Sequence, residues 1–265
     1  MAFDLSSITR GAAQTPPRIL IHGVQGVGKT SLISGAPSPV VIQTEDGLGS
    51  IDVPAFPLAK SYVDVMEALA TLAGEDHGFK TVMIDSADWF EGMVWREYIR
   101  QNPTTEKGKV VNSIEDYGFG KGYVGAMDLW GDYIEAINYI RNERGMTIIQ
   151  TCHTNVKRYN DPHTEPYDRY QLKLQDRAAA KLLEHSDVVV FQNYRVSVKE
   201  TDGNRNRGVG SGERIAYTEE RPAFIAKNRF SMPPEIVLPK DPLKVFDAVT
   251  QHIPYFSSKQ TAQEV

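Results

Sequence analysis

The sequence predicts an α/β fold with a mainly parallel central sheet, helices on both faces and a C-terminal part rich in β-hairpins. Apolar runs of strand length alternate with segments of helical periodicity through the first two-thirds of the chain, which is the pattern of a parallel sheet with covering helices. After residue 187 short strand-like runs follow one another, and turn-forming residues at 202–208 predict a hairpin between Tyr194 and Tyr217. These two observations define the fold class.

The first strand is followed by a glycine-rich turn and then by Lys29 and Thr30, which are expected to open a helix. The run GVQGVGKT fits the phosphate-binding pattern G-x-x-x-x-G-K-[ST] in its required strand, loop and helix context. Glycines let successive N–H groups point at phosphate oxygens, and the helix adds the positive end of its dipole. We expect Lys29 to reach the β- and γ-phosphates and Thr30 to ligate Mg²⁺. The predicted nucleotide contacts are Gly23, Val24, Gln25, Gly26, Val27, Gly28, Lys29, Thr30 and Ser31.

Acidic residues follow the next two predicted strands. A strand over residues 40–44 leads into Glu45, and a strand over residues 80–86 carries Asp85 near its end, with a helix over 61–73 between them. Open parallel sheets bind their ligands at the carboxyl ends of their strands. We therefore expect both carboxylates near the phosphate-binding loop, with Asp85 holding Mg²⁺, commonly through water.

The rest of the chain completes the sheet and adds two long polar loops. The first loop, residues 101–122, combines lysines with Tyr117 and Phe119, and the second, residues 156–174, combines lysines, arginines and tyrosines. Loops of this length in a compact domain are usually functional or disordered. The other helices are predicted over 88–100, 124–144, 176–184 and 242–252, and the other strands over 146–151, 187–191, 224–226 and 235–238.

Length and composition agree with one large domain. The chain has 265 residues, and we divide it into an N-terminal arm (1–17), a core domain (18–252) and a polar tail (253–265). Cys152 is the only cysteine, and no signal peptide or membrane span is apparent, so a cytoplasmic location is expected. The net charge of −5 argues against a surface that binds nucleic acid indiscriminately, but it permits a local basic groove.

The order of these features resembles the core of the RecA-like recombinases over residues 18–240. In that family, an acid after the second strand activates the attacking water, and the third strand ends in Asp-Ser. The fourth strand ends in a polar residue, usually glutamine, that senses the γ-phosphate. The resemblance implies these roles for Glu45, Asp85 and His153, with His153 departing from the family's glutamine.

The resemblance also implies an oligomer, either a ring or a filament. Lys227-Asn228-Arg229 follows an apolar run and is similar to the family's Lys-Asn-Lys, which reaches the ATP of a neighbouring subunit. Lys227 and Arg229 would neutralise γ-phosphate charge in the transition state, as arginine fingers do. The resemblance therefore implies an ATPase domain that uses ATP and Mg²⁺ at subunit interfaces.

The compact size is similar to that of small phage-encoded RecA-like ATPases that accompany recombination and single-strand annealing. The two polar loops would then contact single-stranded DNA, since lysine and arginine suit phosphates while tyrosine and phenylalanine suit base stacking. We expect phosphate contacts from Lys157, Arg158 and Arg169. A recombination or single-strand-binding protein is a further candidate partner, and a phage-encoded protein would act in the host cytoplasm.

Other functions stay open at this stage. A P-loop kinase of a nucleotide or another small molecule would need an arginine-bearing lid, for which Arg205 and Arg207 are the candidates. A non-catalytic protein would use ATP only to order an assembly. An AAA+ loader is not favoured, because the 38 residues after Lys227 are too few for the usual helical lid domain. A zinc site at His153 has no CxxC or HExxH pattern in its support.

Overall fold

A computed structural model describes residues 15–201 and 205–257, with side chains described outside 196–211. These residues form a nine-stranded sheet in which β2, β3, β4, β1, β6, β7 and β9 lie side by side in that order. The strands are β1 (Arg18–Gly23), β2 (Pro39–Gln43), β3 (Thr81–Asp85), β4 (Thr147–Tyr159), β5 (Tyr167–Leu172), β6 (Val188–Thr201), β7 (Arg205–Tyr217), β8 (Lys227–Asn228) and β9 (Glu235–Val237).

The pairing of the strands confirms the predicted fold class. The strands from β2 to β6 along the sheet run parallel, while β7 pairs antiparallel with β6 and with β9. β5 adds to β4, and β8 adds to β6, in antiparallel pairs. The sheet is therefore parallel at its centre and built from antiparallel strands in its C-terminal part.

Helices cover both faces of the sheet. They are α1 (Tyr62–Gly74), α2 (Ala87–Gln101), α3 (Lys121–Gly125), α4 (Met127–Glu143), α5 (Asp176–His185) and α6 (Val245–Thr250). Alternation along β1 shows the two layers, since Leu20 packs with α1, α2 and α4 while Ile19 and Ile21 pack with α6. The apolar stripe of α4, including Trp130 and Tyr133, is buried in the first layer, which confirms it as core.

The helix expected after the phosphate-binding loop is a short 3₁₀ turn, Thr30–Gly35. Ala36 already has an extended backbone (ψ 149°), because the residue before a proline, here Pro37, disfavours the helical region. Gly35 also packs so closely on the backbone of Leu243 that a Cβ there would collide with its carbonyl oxygen. The segment therefore cannot continue as an α-helix, and its dipole contribution is smaller than predicted.

The prediction of a polar loop over residues 156–174 is wrong. Most of it forms an antiparallel pair between the end of β4 and β5, which we call the β4–β5 hairpin. Tyr159 and Tyr167 face each other across this pair with ring centroids 5.5 Å apart, and such cross-strand aromatic pairs stabilise a hairpin. The strand predicted over 224–226 is also wrong, since Phe224 makes only isolated bridges and the strand begins at Lys227.

The other predicted segments differ in detail. Residues 101–122 include a 3₁₀ turn, Ile114–Tyr117, which is anchored by the buried Ile114. The candidate lid residues of a kinase, Arg205 and Arg207, lie in β7 with their backbone paired to β6. A strand position in a ladder does not suit a mobile lid.

Both ends of the predicted core domain can be examined in part. Ile253 is fully buried, and Tyr255 and Phe256 pack beside it, so the packed region extends past the predicted boundary at residue 252. Most of the predicted N-terminal arm lies outside the described residues, although Thr15 and Pro16 accept hydrogen bonds from Arg141. Within the described ranges, no helix is both long and apolar enough to cross a membrane.

Glu91 of α2 is a buried carboxyl group that should make stability depend on pH. Both of its oxygens accept the backbone N–H of Gln175, which precedes α5, and burial raises the pKa of Glu91 from 4.5 to about 7. The folded state therefore keeps a proton that the unfolded state loses. The free energy of unfolding should fall by about 3 kcal/mol as pH rises from about 4.5 to about 7.

We expect Glu91→Gln to remove this loss, because the amide cannot ionise yet still offers an oxygen to Gln175. Relative to the wild type, the variant should gain stability steadily between pH 5 and pH 8. Urea unfolding at several pH values measures the difference, with Glu67→Gln on the exposed side of α1 as the control. Parallel pH profiles for wild type and Glu91→Gln would contradict the prediction.

Candidate functional site

The loop between β1 and Thr30 has the backbone that its glycines were expected to allow. Gly26 and Gly28 have positive φ angles of 74° and 89°, a region that residues with a Cβ rarely adopt. Gly23 serves a different purpose, because a Cβ there would collide with the carbonyl oxygen of Gln192 in β6. The first glycine thus permits close strand packing, and the other two shape the loop.

Lys29 lies folded against this loop and is 7% exposed. Its Nζ donates to the carbonyl oxygens of Gly23 and Val24, each at 3.2 Å. Burial lowers the pKa of Lys29, and the carboxylate of Asp85 opposes that change. A buried ammonium group that is satisfied mainly by neutral carbonyls favours an anion as a further partner.

Thr30 and Asp85 meet directly beside Lys29. The Thr30 hydroxyl donates to Oδ2 of Asp85 at 2.9 Å, and the Thr151 hydroxyl of β4 donates to Oδ1. Hydroxyl and carboxylate oxygens suit Mg²⁺, which usually takes few protein ligands and completes its shell with water and phosphate. The residues therefore fit Mg²⁺ bound together with a nucleotide.

His153 and Glu45 also lie at this edge, beside Asp88 in the first turn of α2. Asp88 accepts two hydrogen bonds from His153, from its backbone N–H and from Nδ1, both at 3.0 Å. Glu45 Oε1 lies 4.0 Å from the same Nδ1. Burial raises the pKa of Glu45, and the nearby His153 opposes the rise. For Asp88, burial favours a higher pKa, but the hydrogen bonds from His153 outweigh it and lower the value.

Asp88 is a site residue that the sequence analysis missed. It stands in the first turn of α2, two residues after the cap Ser86, where an acidic residue is ordinary in any helix. Its spacing from Asp85 is the one available signal, since it follows the predicted metal-binding acid by three residues.

The three predicted DNA contacts lie on the β4–β5 hairpin but differ in accessibility. Arg158 is 61% exposed and faces Asp168 at 3.5 Å. Lys157 is partly engaged, since its Nζ lies 2.8 Å from Asp176 Oδ1. Arg169 is 6% exposed, pairs with Glu220, donates to the carbonyl oxygen of Phe224, and lies over the ring of Tyr159.

The burial of Arg169 therefore contradicts the prediction that this residue contacts DNA. Its guanidinium is enclosed by Glu220, by the carbonyl oxygen of Phe224 and by the ring of Tyr159. A phosphate could reach it only if the pair with Glu220 and the contact with Tyr159 were both broken.

Lys227 and Arg229 lie at the opposite end of the sheet from the phosphate-binding loop. Lys227 Nζ donates to the carbonyl oxygens of Leu183 and Glu184 at the end of α5, at 2.7 and 3.1 Å. Arg229 is 51% exposed and pairs at 3.0 Å with Asp187, which precedes β6. Through β6, Lys227 is level with Leu20 of β1 and Asn228 is level with Ile19, so both cations lie toward the start of β1 and away from the loop of their own subunit.

Two further side chains contact the phosphate-binding loop from β6 and β7. The Tyr194 hydroxyl donates to the carbonyl oxygen of Gly26 at 3.1 Å. The guanidinium of Arg214 lies so close to Gly28 that a Cβ on this glycine would be 2.5 Å from Nη1. Neither residue belongs to a motif, and both are far from the loop in sequence, so the sequence analysis did not find them.

Comparison with known proteins finds one matching family model, described as an AAA domain, over residues 15–230. Among solved structures, the crystal structure of the RadB recombinase is similar, with a TM-score of 0.47 and 11% sequence identity, over 86% of this chain and 90% of that chain. The search of curated proteins finds no match.

The family match concerns the expectation that the protein is not an AAA+ loader, which rested on the few residues after Lys227. Among the described residues after Lys227, the elements are the rest of β8, the strand β9, a 3₁₀ turn and the six-residue helix α6, and no helical lid domain is formed. The matched range contains the phosphate-binding loop, Asp85, Asp88 and His153. The chain therefore belongs to the AAA domain family.

Proposed function

We propose that the protein is a Mg²⁺-dependent ATPase that hydrolyses ATP at interfaces between its own copies and couples its nucleotide state to single-stranded DNA in recombination or annealing. The observation that carries this proposal is the convergence of Lys29, Thr30, Asp85, Glu45 and His153 at one edge of the sheet. These residues provide a phosphate ligand, metal ligands, a base and a γ-phosphate sensor.

The roles follow from the contacts. Lys29 leaves its carbonyl partners to bind the β- and γ-phosphates, and Thr30 and Asp85 hold Mg²⁺, which neutralises phosphate charge when bound. Glu45 takes the proton of the attacking water. Burial raises the pKa of Glu45, which makes its carboxylate a better proton acceptor than an exposed one.

Asp88 acts as a positioning residue for His153. Because its lowered pKa keeps Asp88 ionised, its carboxylate accepts a hydrogen bond from Nδ1–H of His153 and fixes the ring, and Nε2 donates to the γ-phosphate when it also carries a proton. Asp88 also lies 3.8 Å from Nζ of Lys173, directly after β5. Loss of the γ-phosphate would thus change contacts at both strands of the β4–β5 hairpin, because Asp88 contacts His153 on β4 and Lys173 beside β5.

The DNA-contacting surface combines the hairpin with the loop over residues 101–122. Arg158 supplies an exposed cation, and Phe119 projects fully into solvent between Gly118 and Gly120. Phe119 has a φ angle of 49°, and both neighbouring glycines also have positive φ, so this turn holds an aromatic ring outward at a conformational cost. An exposed ring near cations suits base stacking and phosphate contact.

Glu45→Gln should abolish hydrolysis by at least about a hundredfold while ATP affinity stays within about threefold, because the amide cannot accept the proton. Phosphate release and equilibrium ATP binding measure the two effects. Glu67→Gln, an exposed acid on α1, is the control. Wild-type turnover in Glu45→Gln would remove Glu45 from the mechanism, and transfer of phosphate to an acceptor in place of inorganic phosphate release would favour a kinase.

Single-stranded DNA should stimulate ATP hydrolysis, and the stimulation should fade between low and moderate salt, since phosphate contacts release counterions. Lys29→Ala serves as the blank. Arg158→Ala and Phe119→Ala should each weaken DNA binding about tenfold or more, with a smaller salt dependence only for the Arg158 variant. Arg96→Ala on α2 is the exposed-arginine control. ATP hydrolysis that is indifferent to DNA under all these conditions would remove the DNA part of the proposal.

Hydrolysis at subunit interfaces predicts complementation between two inactive variants. Arg229→Ala lacks the cation offered to a neighbour, while Lys29→Ala lacks its own phosphate ligand, so mixed oligomers should contain some complete sites. ATPase activity measured across mixing ratios should exceed that of either variant alone. Activity that never rises above the separate variants would show that Arg229 does not act between subunits.

A further inference from the structure

The residues assigned so far occupy only one side of the phosphate-binding loop. β4, β3 and β2 lie on one side of β1, and they position His153, Asp85 and Glu45. β6 and β7 lie on the other side. A triphosphate whose γ end faces His153 must direct its α-phosphate and nucleoside toward β6 and β7.

Tyr194 and Arg214 occupy that second side. They are directly opposite each other in the β6–β7 ladder, so their side chains share one face of it. Tyr194 bonds to Gly26, and Arg214 approaches Gly28. Their sequence neighbours Arg195 and Glu213 lie on the opposite face and pair with each other at 2.5 Å.

Among the described residues, most N–H donors of the Arg214 guanidinium have no hydrogen-bond partner. Within the described residues its one hydrogen bond runs from Nη2 to the carbonyl oxygen of Pro239 at 2.5 Å, and no carboxylate lies within ion-pair distance. A guanidinium has five N–H donors and keeps its charge at all physiological pH values. A half-buried arginine of this kind beside a phosphate-binding loop is suited to a phosphate oxygen.

Tyr194 offers a different surface to the same ligand. Its hydroxyl is used by the carbonyl oxygen of Gly26, yet the residue is 38% exposed, so part of the ring faces open space beside the loop. A tyrosine ring held in this way can pack against a ribose or a base.

We propose that Arg214 binds the α-phosphate and that Tyr194 packs against the nucleoside, so that the β6–β7 hairpin forms the second half of the nucleotide site within one subunit. This inference rests on the proposed nucleotide function. ATP and ADP share the α-phosphate and the nucleoside. Arg214 and Tyr194 therefore contribute to the affinity for both nucleotides, and the groups at the γ-phosphate, His153 among them, distinguish ATP from ADP.

Equilibrium titration of ATP, ADP and inorganic tripolyphosphate tests the proposal. Arg214→Gln should weaken all three about tenfold, which is the loss of one charge-assisted hydrogen bond. Tyr194→Ala should weaken ATP and ADP more than tripolyphosphate, which lacks a nucleoside. Tyr194→Phe, which keeps the ring, should retain most of that nucleoside preference. Arg195→Gln on the opposite face is the matched control, and His153→Ala should weaken ATP and tripolyphosphate, which both carry a third phosphate, but not ADP.

The outcomes distinguish a failure of the second half-site from a failure of the proposed ATPase function. If the wild type binds ATP and Lys29→Ala does not, but Arg214→Gln binds ATP and ADP as the wild type does, the second half-site is overturned and the ATPase stands. A loss confined to ATP and tripolyphosphate, with ADP binding unchanged, would also overturn it, since that result would put Arg214 at the γ-phosphate. No ATP binding by the wild type would overturn both. Arg214→Lys, which keeps the charge, replaces Arg214→Gln if thermal melting shows that Arg214→Gln is unfolded.

Discussion

The last residue of β1, Gly23, is held between His153 of β4 and Gln192 of β6, its register partners on either side. A side chain at Gly23 would force β1 away from β6, because the space is filled by the carbonyl oxygen of Gln192. The phosphate-binding loop starts from this fixed point, so its distance to both neighbouring strands is set by backbone packing. The side chains that can reach the loop from β4 and from β6 are therefore limited by this packing.

On the β4 side, the constraint concentrates charge in a small buried volume. Lys29, Asp85 and Asp88 are all buried, and Glu45 and His153 are largely so. Charges removed from water are costly unless they are paired or hydrogen-bonded; here the carboxylates face donors or cations, and Lys29 donates to two carbonyl oxygens. The exchange of stability for a preorganised charge pattern is common where phosphate charge must be neutralised.

The sequence was sufficient for features that depend on local pattern. The glycines, Lys29 and Thr30 form a contiguous motif, and Glu45 and Asp85 end apolar strands, so sheet geometry alone predicted their convergence. The sequence analysis missed Asp88 because an acidic residue at the start of a helix has an ordinary structural explanation. Arg169 was misplaced because inside and outside cannot be assigned before the segment is recognised as a strand. Contacts such as Tyr194 with Gly26 join positions that are 168 residues apart, and no local pattern encodes them.

The two sides of β1 differ in what they can report. A contact to the α-phosphate or the nucleoside is the same before and after hydrolysis, so the β6–β7 side can hold the nucleotide but cannot signal its state. In the proposed mechanism, only groups at the γ-phosphate change partners, and apart from Lys29 these are positioned by β2, β3 and β4. β4 also continues past the sheet edge into the β4–β5 hairpin, through His153 and on to Arg158. Coupling between hydrolysis and a bound strand should therefore run along β4, with Asp88 holding His153 in position.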